Sequence, residues 1–441
     1  MVAQAAGARK RQLSQDDLLC EECLSQYGMV EDLPALGVQI VKSDCAASPK
    51  QISNYLAKVG GMLDVTTSCE ADMQLKLTPT GGRTTATRGQ ALGSCTGGNT
   101  ALGTNDPLSS CQSNLETIRI SSAWQRVASA NRTPRQVILA IVDSGVDTTH
   151  PDLINQFWKN PVDGSIGYNF LDDNTDVTDL DGHGTHCAGI AGAQTNNDIG
   201  IAGIANVKLM ILKFMGRNGT GLLSDALRAF NFAVQMGAAV SSHSYGAAGV
   251  SSIFGRAIAN AAAQGHIFVT ASGNDGVDLD DIPSVPCSLA SSIPTMMCVG
   301  ASESTNPGSS TGTAGIASFS NVGSAVNIVA PGVNIPSTYP NGRYAYLSGT
   351  SMATPHVAAV AAILASLNLD GERITQSIVQ SRTTLQSSRR AGTSQLGELD
   401  ALNAVLIGLG QPTSPPRSSA SPIPCGLLVY IAVGLLATIM F

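Results

Sequence analysis

Charge and aromatic rings are both scarce in this chain: Asp, Glu, Lys and Arg make up only 13% of the 441 residues, and Phe, Trp and Tyr 4%. So little charge excludes a long disordered polyelectrolyte. The formal balance of −7 argues against nucleic acid as a partner, which calls for clustered Lys and Arg. Also missing is any apolar stretch after Arg9-Lys10-Arg11, so Met1–Asp17 does not read as a signal peptide. Abundant instead are glycine and small apolar side chains, the composition of closely packed helices and strands joined by many loops. At this length one large domain with extensions, or two to three units, is expected. The 10 cysteines suit an oxidising compartment, and the sequons Asn131-Arg-Thr133 and Asn218-Gly-Thr220 are compatible with secretion.

The pattern along the chain divides it. Residues 1–33 are polar and Cys-bearing; Cys20-Glu-Glu-Cys23 lacks the second ligand pair that a zinc knuckle needs. Residues 34–77 read as a small folded unit, with strands at Gly37–Lys42 and Met73–Leu77 around a helix at Ser48–Val59. Residues 78–103, rich in Thr, Gly and Ser and carrying Arg83 and Arg88, read as a flexible, cleavable linker. From 104 to 408 the apolar runs Val137–Val142, Val207–Phe214, Ala238–Ser244, Ile267–Ala271 and Met297–Ala301 alternate with helical spacing at Leu222–Met236 and Ile253–Gln264. That alternation predicts an α/β domain whose mostly parallel sheet is covered on both faces, with its chemistry at the carboxyl ends of the strands. Residues 409–424 form a Pro/Ser stalk, and 425–441 are uncharged and mostly apolar. At ~1.5 Å per residue the tail is somewhat short for a ~30 Å bilayer core. It reads as a short tail anchor or as the removable tail of a glycolipid-anchor signal, so attachment to a membrane is expected either way.

Four motifs carry chemistry. Ser351, in Gly349-Thr-Ser-Met-Ala-Thr-Pro-His356, stands at the first turn of an apolar, small-residue helix, where a serine is usually a cap. A weak nucleophile needs a base, and the base needs an orienting group. Asp143 ends an apolar strand ahead of Ser144-Gly145, a position that also suits an ordinary turn former. Asp181-Gly-His183-Gly-Thr-His186 offers the base; its two histidines also suggest a metal pair, but no HExxH glutamate and no third ligand accompany them. Asn274, in Ala271-Ser272-Gly273-Asn274, is either a turn residue or an amide donor.

In this order, Asp143-Ser-Gly, His183-Gly-Thr-His, Ser272-Gly-Asn274 and Gly349-Thr-Ser351-Met-Ala-Thr-Pro resemble the subtilisin family over about 104–408. His150-Pro-Asp-Leu, Gly167-Tyr-Asn-Phe170 and Pro286-Cys-Ser-Leu289 are similar to secreted subtilases of protozoan parasites. The resemblance implies a three-layer αβα domain and a serine endopeptidase acting on proteins or peptides. Ser351 would be the nucleophile, His183 the general base and then acid, and Asp143 the group that holds the imidazole. Asn274 and the backbone N–H of Ser351 would bind the oxyanion, and His186 would be structural. Substrate would add as a strand beside Ser244-Tyr245-Gly246 and Ala271-Ser272-Gly273.

Thr195-Asn-Asn197-Asp-Ile199-Gly-Ile201 resembles a subtilase calcium loop, with Thr195, Asn197, Ile199 and Ile201 as ligands and Asp106 and Asp152 as carboxylates. The second acidic stretch, Asp172–Asp181, reads as a solvated loop. Residues 34–77 resemble, in pattern only, the α+β propeptides that inhibit subtilases, so a self-processed zymogen cut within 78–104 is implied. Cys287 and Cys298 flank a short excursion and are expected to pair, while Cys187 reads as a buried thiol. A monomer in the secretory pathway or at the cell surface completes the expectation. The rival readings are a catalytically dead fold used for binding, and a zinc hydrolase.

Overall fold

The structure, a computed structural model, describes residues 30–41, 50–52, 70–77, 90–91, 97–304, 314–385 and 396–414. Cys20–Cys23, most of the helix expected at 48–59 and of the 78–103 linker, and nearly all of the stalk and tail lie outside these residues. Among the described residues no helix is long and apolar enough to cross a membrane.

Seven strands build the core of the domain: β1 (Ile138–Asp143), β2 (Gly167–Asn169), β3 (Lys208–Lys213), β4 (Val240–His243), β5 (Ile267–Ala271), β6 (Met296–Ser304) and β7 (Val326–Pro331). They lie in the order β7-β6-β5-β4-β1-β3-β2, all parallel, and Gly397–Glu398 extends the sheet beyond β7. Parallel strands need crossover helices, which cover both faces and make the strands apolar on both sides. Alternate residues of β1 accordingly face two cores. Leu139 and Ile141 enter one, Ala140 and Val142 the other.

The helices divide between the same two cores. In chain order the longer ones are α1 (Ile120–Ala128), α2 (His183–Gly192), α3 (Leu223–Gln235), α4 (Ser252–Ala262), α5 (Thr350–Ser366), α6 (Gly371–Gln380) and α7 (Ala401–Gly408). Residues of α3 and α4 fill one side of the sheet, and residues of the other five fill the opposite side. Helix α5 is buried along nearly its whole length, which its run of Ala and Val permits. The chain winds one way from β1 to β3 and β2, then the other way through β4, β5, β6 and β7. The reversal between β1 and β4 is the crevice where side chains at strand ends converge.

Patterning located β1, β3, β4, β5, β6, α3 and α4 within a few residues. It did not flag β2, which is three residues long, or β7, α1, α6 and α7. A further hairpin, Ile335–Tyr339 with Arg343–Leu347, was also not expected, and Gln90–Ala91 pairs along its second strand.

The boundary expected between residues 33 and 34 falls inside an antiparallel hairpin, Val30–Leu33 with Val38–Val41. Leu33 and Leu36 are fully buried in the α3–α4 core. Asn231 of α3 accepts from the Ala35 N–H at 3.1 Å, and Asn260 of α4 donates to the Leu36 carbonyl at 2.7 Å. The strand at 74–77 leaves this unit entirely. It forms a ladder with Thr220–Leu222 on one side and Tyr245–Ala248 on the other.

Candidate active site

Asp143 is the last residue of β1 and is 1% exposed. Its carboxylate faces Nδ1 of His183, the first residue of α2, at 2.9 and 3.0 Å. The turn between them is tied by Ser144: its Oγ accepts from the Gly184 N–H at 3.0 Å and donates to Asp179 at 2.9 Å. Gly184 sits so close to the Gly145 carbonyl that a Cβ there would overlap it, which explains a glycine directly after the base. Asp179 also accepts from the Gly182 and Thr185 N–H groups and from the Thr185 hydroxyl. It is therefore buried, and the reading of this acidic stretch as wholly solvated fails at Asp179: its carboxylate folds the start of α2.

Burial disfavours the His183 imidazolium, but the Asp143 carboxylate, with Cys187, outweighs it and raises the pKa well above the usual value. Nε2 of His183 points away from Asp143 and has no hydrogen-bond partner among the described residues. His186, one turn on, donates from Nε2 to the carbonyls of Ile335 and Ala345 at 3.1 and 3.0 Å. Burial lowers its pKa to about 3, so it is a neutral strut.

Ser351 is the second residue of α5 and is 2% exposed. Its hydroxyl donates to the Ser244 carbonyl at 3.2 Å, and the Ser244 hydroxyl donates back to the Ser351 carbonyl at 3.0 Å. That carbonyl is available because Pro355, four residues on within α5, has no N–H to claim it. The Cys187 thiol donates to the same carbonyl at 3.6 Å and lies 3.8 Å from His183 Nδ1. Asn274 follows β5, and its Oδ1 accepts from the Thr350 N–H and hydroxyl at 2.8 and 3.0 Å. The carbonyl end so engaged fixes the orientation of the amide, whose Nδ2 is the donating end. Asn321, which the sequence reading did not single out, clamps this loop: its Nδ2 donates to the Ser272 carbonyl and its Oδ1 accepts from the Asp275 and Val277 N–H groups.

The expected substrate wall at Ser244–Gly246 holds a strand of the chain itself. Leu77 pairs with Tyr245 and Lys76 with Gly246; Gln74, Leu75 and Lys76 pair with Leu222, Gly221 and Thr220. Leu75 is fully buried in the same core as Tyr245 and Phe214. Ala271–Gly273 lies at the end of the neighbouring strand, where the Gly273 N–H donates to Thr350 Oγ1 at 3.2 Å. The other partner of the strand, Thr220–Leu222, was missed; Gly219-Thr-Gly221 after a strand was its only local signal.

Two more residues that the sequence did not flag fix this segment. Glu70 accepts from the Ser252 and Ile253 N–H groups and from the Ser251 and Ser252 hydroxyls at the start of α4. Asp72 accepts from the Ser224 N–H at 3.0 Å and its hydroxyl at 2.6 Å at the start of α3. Partial burial pushes the Glu70 carboxyl up, but the four donors outweigh it and hold it below the usual value.

Away from the crevice, Asn196, Asp198 and Gly200 take left-handed backbone at φ 62°, 62° and 49°. Left-handed residues that alternate in this way turn the carbonyls between them to one side. Asp106 accepts from the Asn196 and Asn197 N–H groups, and Asp152 from the Ile201 N–H and the Asn197 amide. Both carboxylates are fully buried, and burial raises both pKa values, that of Asp152 to about 7. A Cβ at Gly200 would overlap Tyr344 Oη and Asp152 Oδ2, so the loop closes tightly on this pair. Two buried carboxylates beside turned-in carbonyls suit a hard divalent cation. Cys287 and Cys298 form a disulfide, and Cys187 is free and buried.

A helix-borne serine, a histidine paired with a buried carboxylate and an oriented amide donor, placed at the strand ends of an αβα sheet, define a class of serine hydrolase. Comparison with known proteins narrows the class. A subtilase-family model matches residues 134–397, and the chain belongs to that family, this region being its subtilisin-like serine peptidase domain. A thermophilic serine proteinase of Bacillus sp. (strain AK1) is 40% identical over 269 residues, 60% of this chain and 61% of that one. Thermitase of Thermoactinomyces vulgaris is 37% identical over 276 residues, 62% of this chain and 89% of its own. The chain thus spans under two thirds of the Bacillus relative. The structure of a cold-adapted subtilisin-like serine proteinase aligns with a TM-score of 0.50 at 28% identity, over 62% of this chain and 91% of that one. Proteases from Pseudoalteromonas arctica align with a TM-score of 0.55 at 26% identity, over 66% of this chain and 94% of theirs.

Proposed function

We propose that this protein is a serine endopeptidase made as a zymogen, in which residues 30–77 inhibit the domain that follows until the chain is cut within 78–104. The observation that carries this reading is the strand Gln74–Leu77, which occupies the groove in the antiparallel ladder an extended substrate would adopt. The hairpin on α3 and α4, and the two carboxylates at the starts of those helices, supply the remaining grip.

In the reaction the Ser351 hydroxyl leaves the Ser244 carbonyl and gives its proton to His183 Nε2 as it attacks the peptide carbonyl. Asp143 holds His183 with Nε2 unprotonated and stabilises the imidazolium that forms. The oxyanion receives the Ser351 backbone N–H, at the positive end of α5, and the Asn274 amide. His183 then protonates the departing amine, and water repeats the sequence in reverse to release the acyl group. Calcium held by Asp106, Asp152, the Asn197 side chain and the carbonyls of Thr195, Ile199 and Ile201 would neutralise the two buried carboxylates and brace the loop. A C-terminal membrane tether remains part of the proposal; cell fractionation with and without residues 411–441 tests it.

The decisive experiment treats the protein with a fluorophosphonate serine probe beside a Ser351→Ala control and maps the adduct by mass spectrometry. Label at Ser351, blocked by added 1–103 fragment, is the expected result. A folded, calcium-loaded protein freed of residues 1–103 that takes no label would overturn the reading in favour of a catalytically inert binding fold. Labelling that survives chelation sets aside the zinc hydrolase.

A further inference from the structure

Beneath Tyr245 runs a chain of buried polar groups that the mechanism does not use. Ser241, His243 and Tyr245 alternate along the chain from β4 onward and so face the same core. Tyr245 Oη lies 2.7 Å from His243 Nδ1, and His243 Nε2 lies 2.7 Å from Ser241 Oγ. Ser241 Oγ lies 2.8 Å from His266 Nε2, and His266 Nδ1 lies 2.8 Å from the Ala238 carbonyl. Each side chain is buried, His243 is stacked on Phe268 with ring centroids 3.7 Å apart, and Phe230 packs edge-on against both histidines.

The proton direction follows from the far end. A carbonyl only accepts, so His266 Nδ1 carries its proton and Nε2, in a neutral ring, accepts from Ser241. With its one proton given away, Ser241 accepts from His243 Nε2–H, which leaves His243 Nδ1 to accept from the Tyr245 hydroxyl. Burial lowers both histidine pKa values and raises that of the tyrosine, in keeping with four neutral groups. Every proton in the chain is used, and the Tyr245 hydroxyl is drawn into the core, away from the groove.

We propose that His243, Ser241 and His266 are positioning residues for substrate selection: by anchoring the Tyr245 hydroxyl in the core they present only its ring to the groove, and so select an aliphatic side chain at the place Leu75 occupies. Leu75 is the occupant on view, fully buried in the cluster that holds Tyr245 and Phe214, whose rings meet at 4.8 Å. Without the anchor, a buried hydroxyl lacking a partner is costly, and a shift of the ring toward the groove would let it find one. The inference rests on the peptidase reading above.

The test uses internally quenched peptides that copy residues 70–89, with Leu, Ala or Gln at the position of Leu75, and compares kcat and KM among variants of the active protein. His243→Leu is expected to reduce the preference for Leu over Gln about tenfold, chiefly through KM. Ser241→Ala, a milder break in the same chain, reduces it less. The double variant His243→Leu with Tyr245→Phe has no hydroxyl to relocate and recovers the preference, a rescue that general loosening of the core would not give. Unchanged preference in Ser241→Ala and His243→Leu, or no recovery in the double variant, overturns the proposal. Should His243→Leu fail to fold, Ser241→Ala and the double variant still decide it. A wild-type protein that cleaves none of the peptides overturns the peptidase reading and this one together; cleavage with invariant preference overturns this one alone.

Discussion

Helices α4 and α5 both begin beside the groove, yet the N–H groups of their first turns meet side chains of different charge. At α4 the Ser251 hydroxyl accepts from Phe254, and Glu70 takes up the Ser252 and Ile253 N–H groups. At α5 the preceding residue, Gly349, has no side chain to offer, and the Thr350 N–H goes instead to Asn274 Oδ1, an uncharged amide. Helix N-termini attract negative charge. Where a carboxylate from residue 70 fills that demand, the helix becomes a docking point. Where a neutral amide meets it, beside Ser351, the positive end of the helix suits the charge that would develop during reaction. On the zymogen reading, one physical property thus serves inhibition at one helix and chemistry at the other.

The comparison can be broken in order of effect. Ser351→Ala removes the nucleophile, and turnover should fall by about 10⁶, the scale measured in subtilisin itself. Asn274→Ala deprives the oxyanion of one donor, with an expected loss of about 10²–10³ in kcat and little change in KM, again subtilisin's own scale, read from steady-state rates on one peptide. Glu70→Ala or Asp72→Ala should weaken inhibition by the added 1–103 fragment about fivefold each while leaving kcat unchanged. Undiminished inhibition in both would show that the capped helices do not matter for docking.

Acidity sharpens the same contrast, because the two sites titrate with opposite signs. The docked Glu70 carboxyl is held below its usual value, so its contribution is complete above the ordinary range of about 4.3 and is lost as pH falls through the docked value. Glu70→Gln should flatten that part of the inhibition profile. His183 is held above its usual value and must be neutral to act, so the acid limb of kcat/KM should lie above pH ~6.5 and move down in Asp143→Asn. The smallest expected effect is on stability: chelation should lower Tm by about 5 °C in the wild type and by less in Asp152→Asn, followed by calorimetry.

The candidate site was legible in the sequence because each of its polar groups sits in a short motif whose neighbours have a local task. Gly184 makes room for the Gly145 carbonyl, and Pro355 frees the Ser351 carbonyl. The parallel sheet was legible too, since strands covered on both faces must be apolar throughout. What could not be read were partnerships between distant residues. Glu70 meets Ser252 across 182 positions, and nothing near either one announces the other. Asp179 looked like one acid among several because its donors come from two separate segments, Ser144 after β1 and Gly182 to Thr185 at the start of α2. His243 and His266 lie in or beside apolar strands, and only the adjacency of β4 and β5 brings them to the same serine.

The strand at 74–77 and the pair at 90–91 are parts of one chain, the first seated in the groove and the second laid along the Arg343–Leu347 hairpin. If this strand inhibits as proposed, then while the chain is unbroken it meets its groove at an effective concentration in the millimolar range, set by the connecting tether and not by how much protein is present. Once the tether is cut, the same contacts face ordinary dilution. Grip that is ample within one molecule can then be too weak between two, and release needs no further signal than distance.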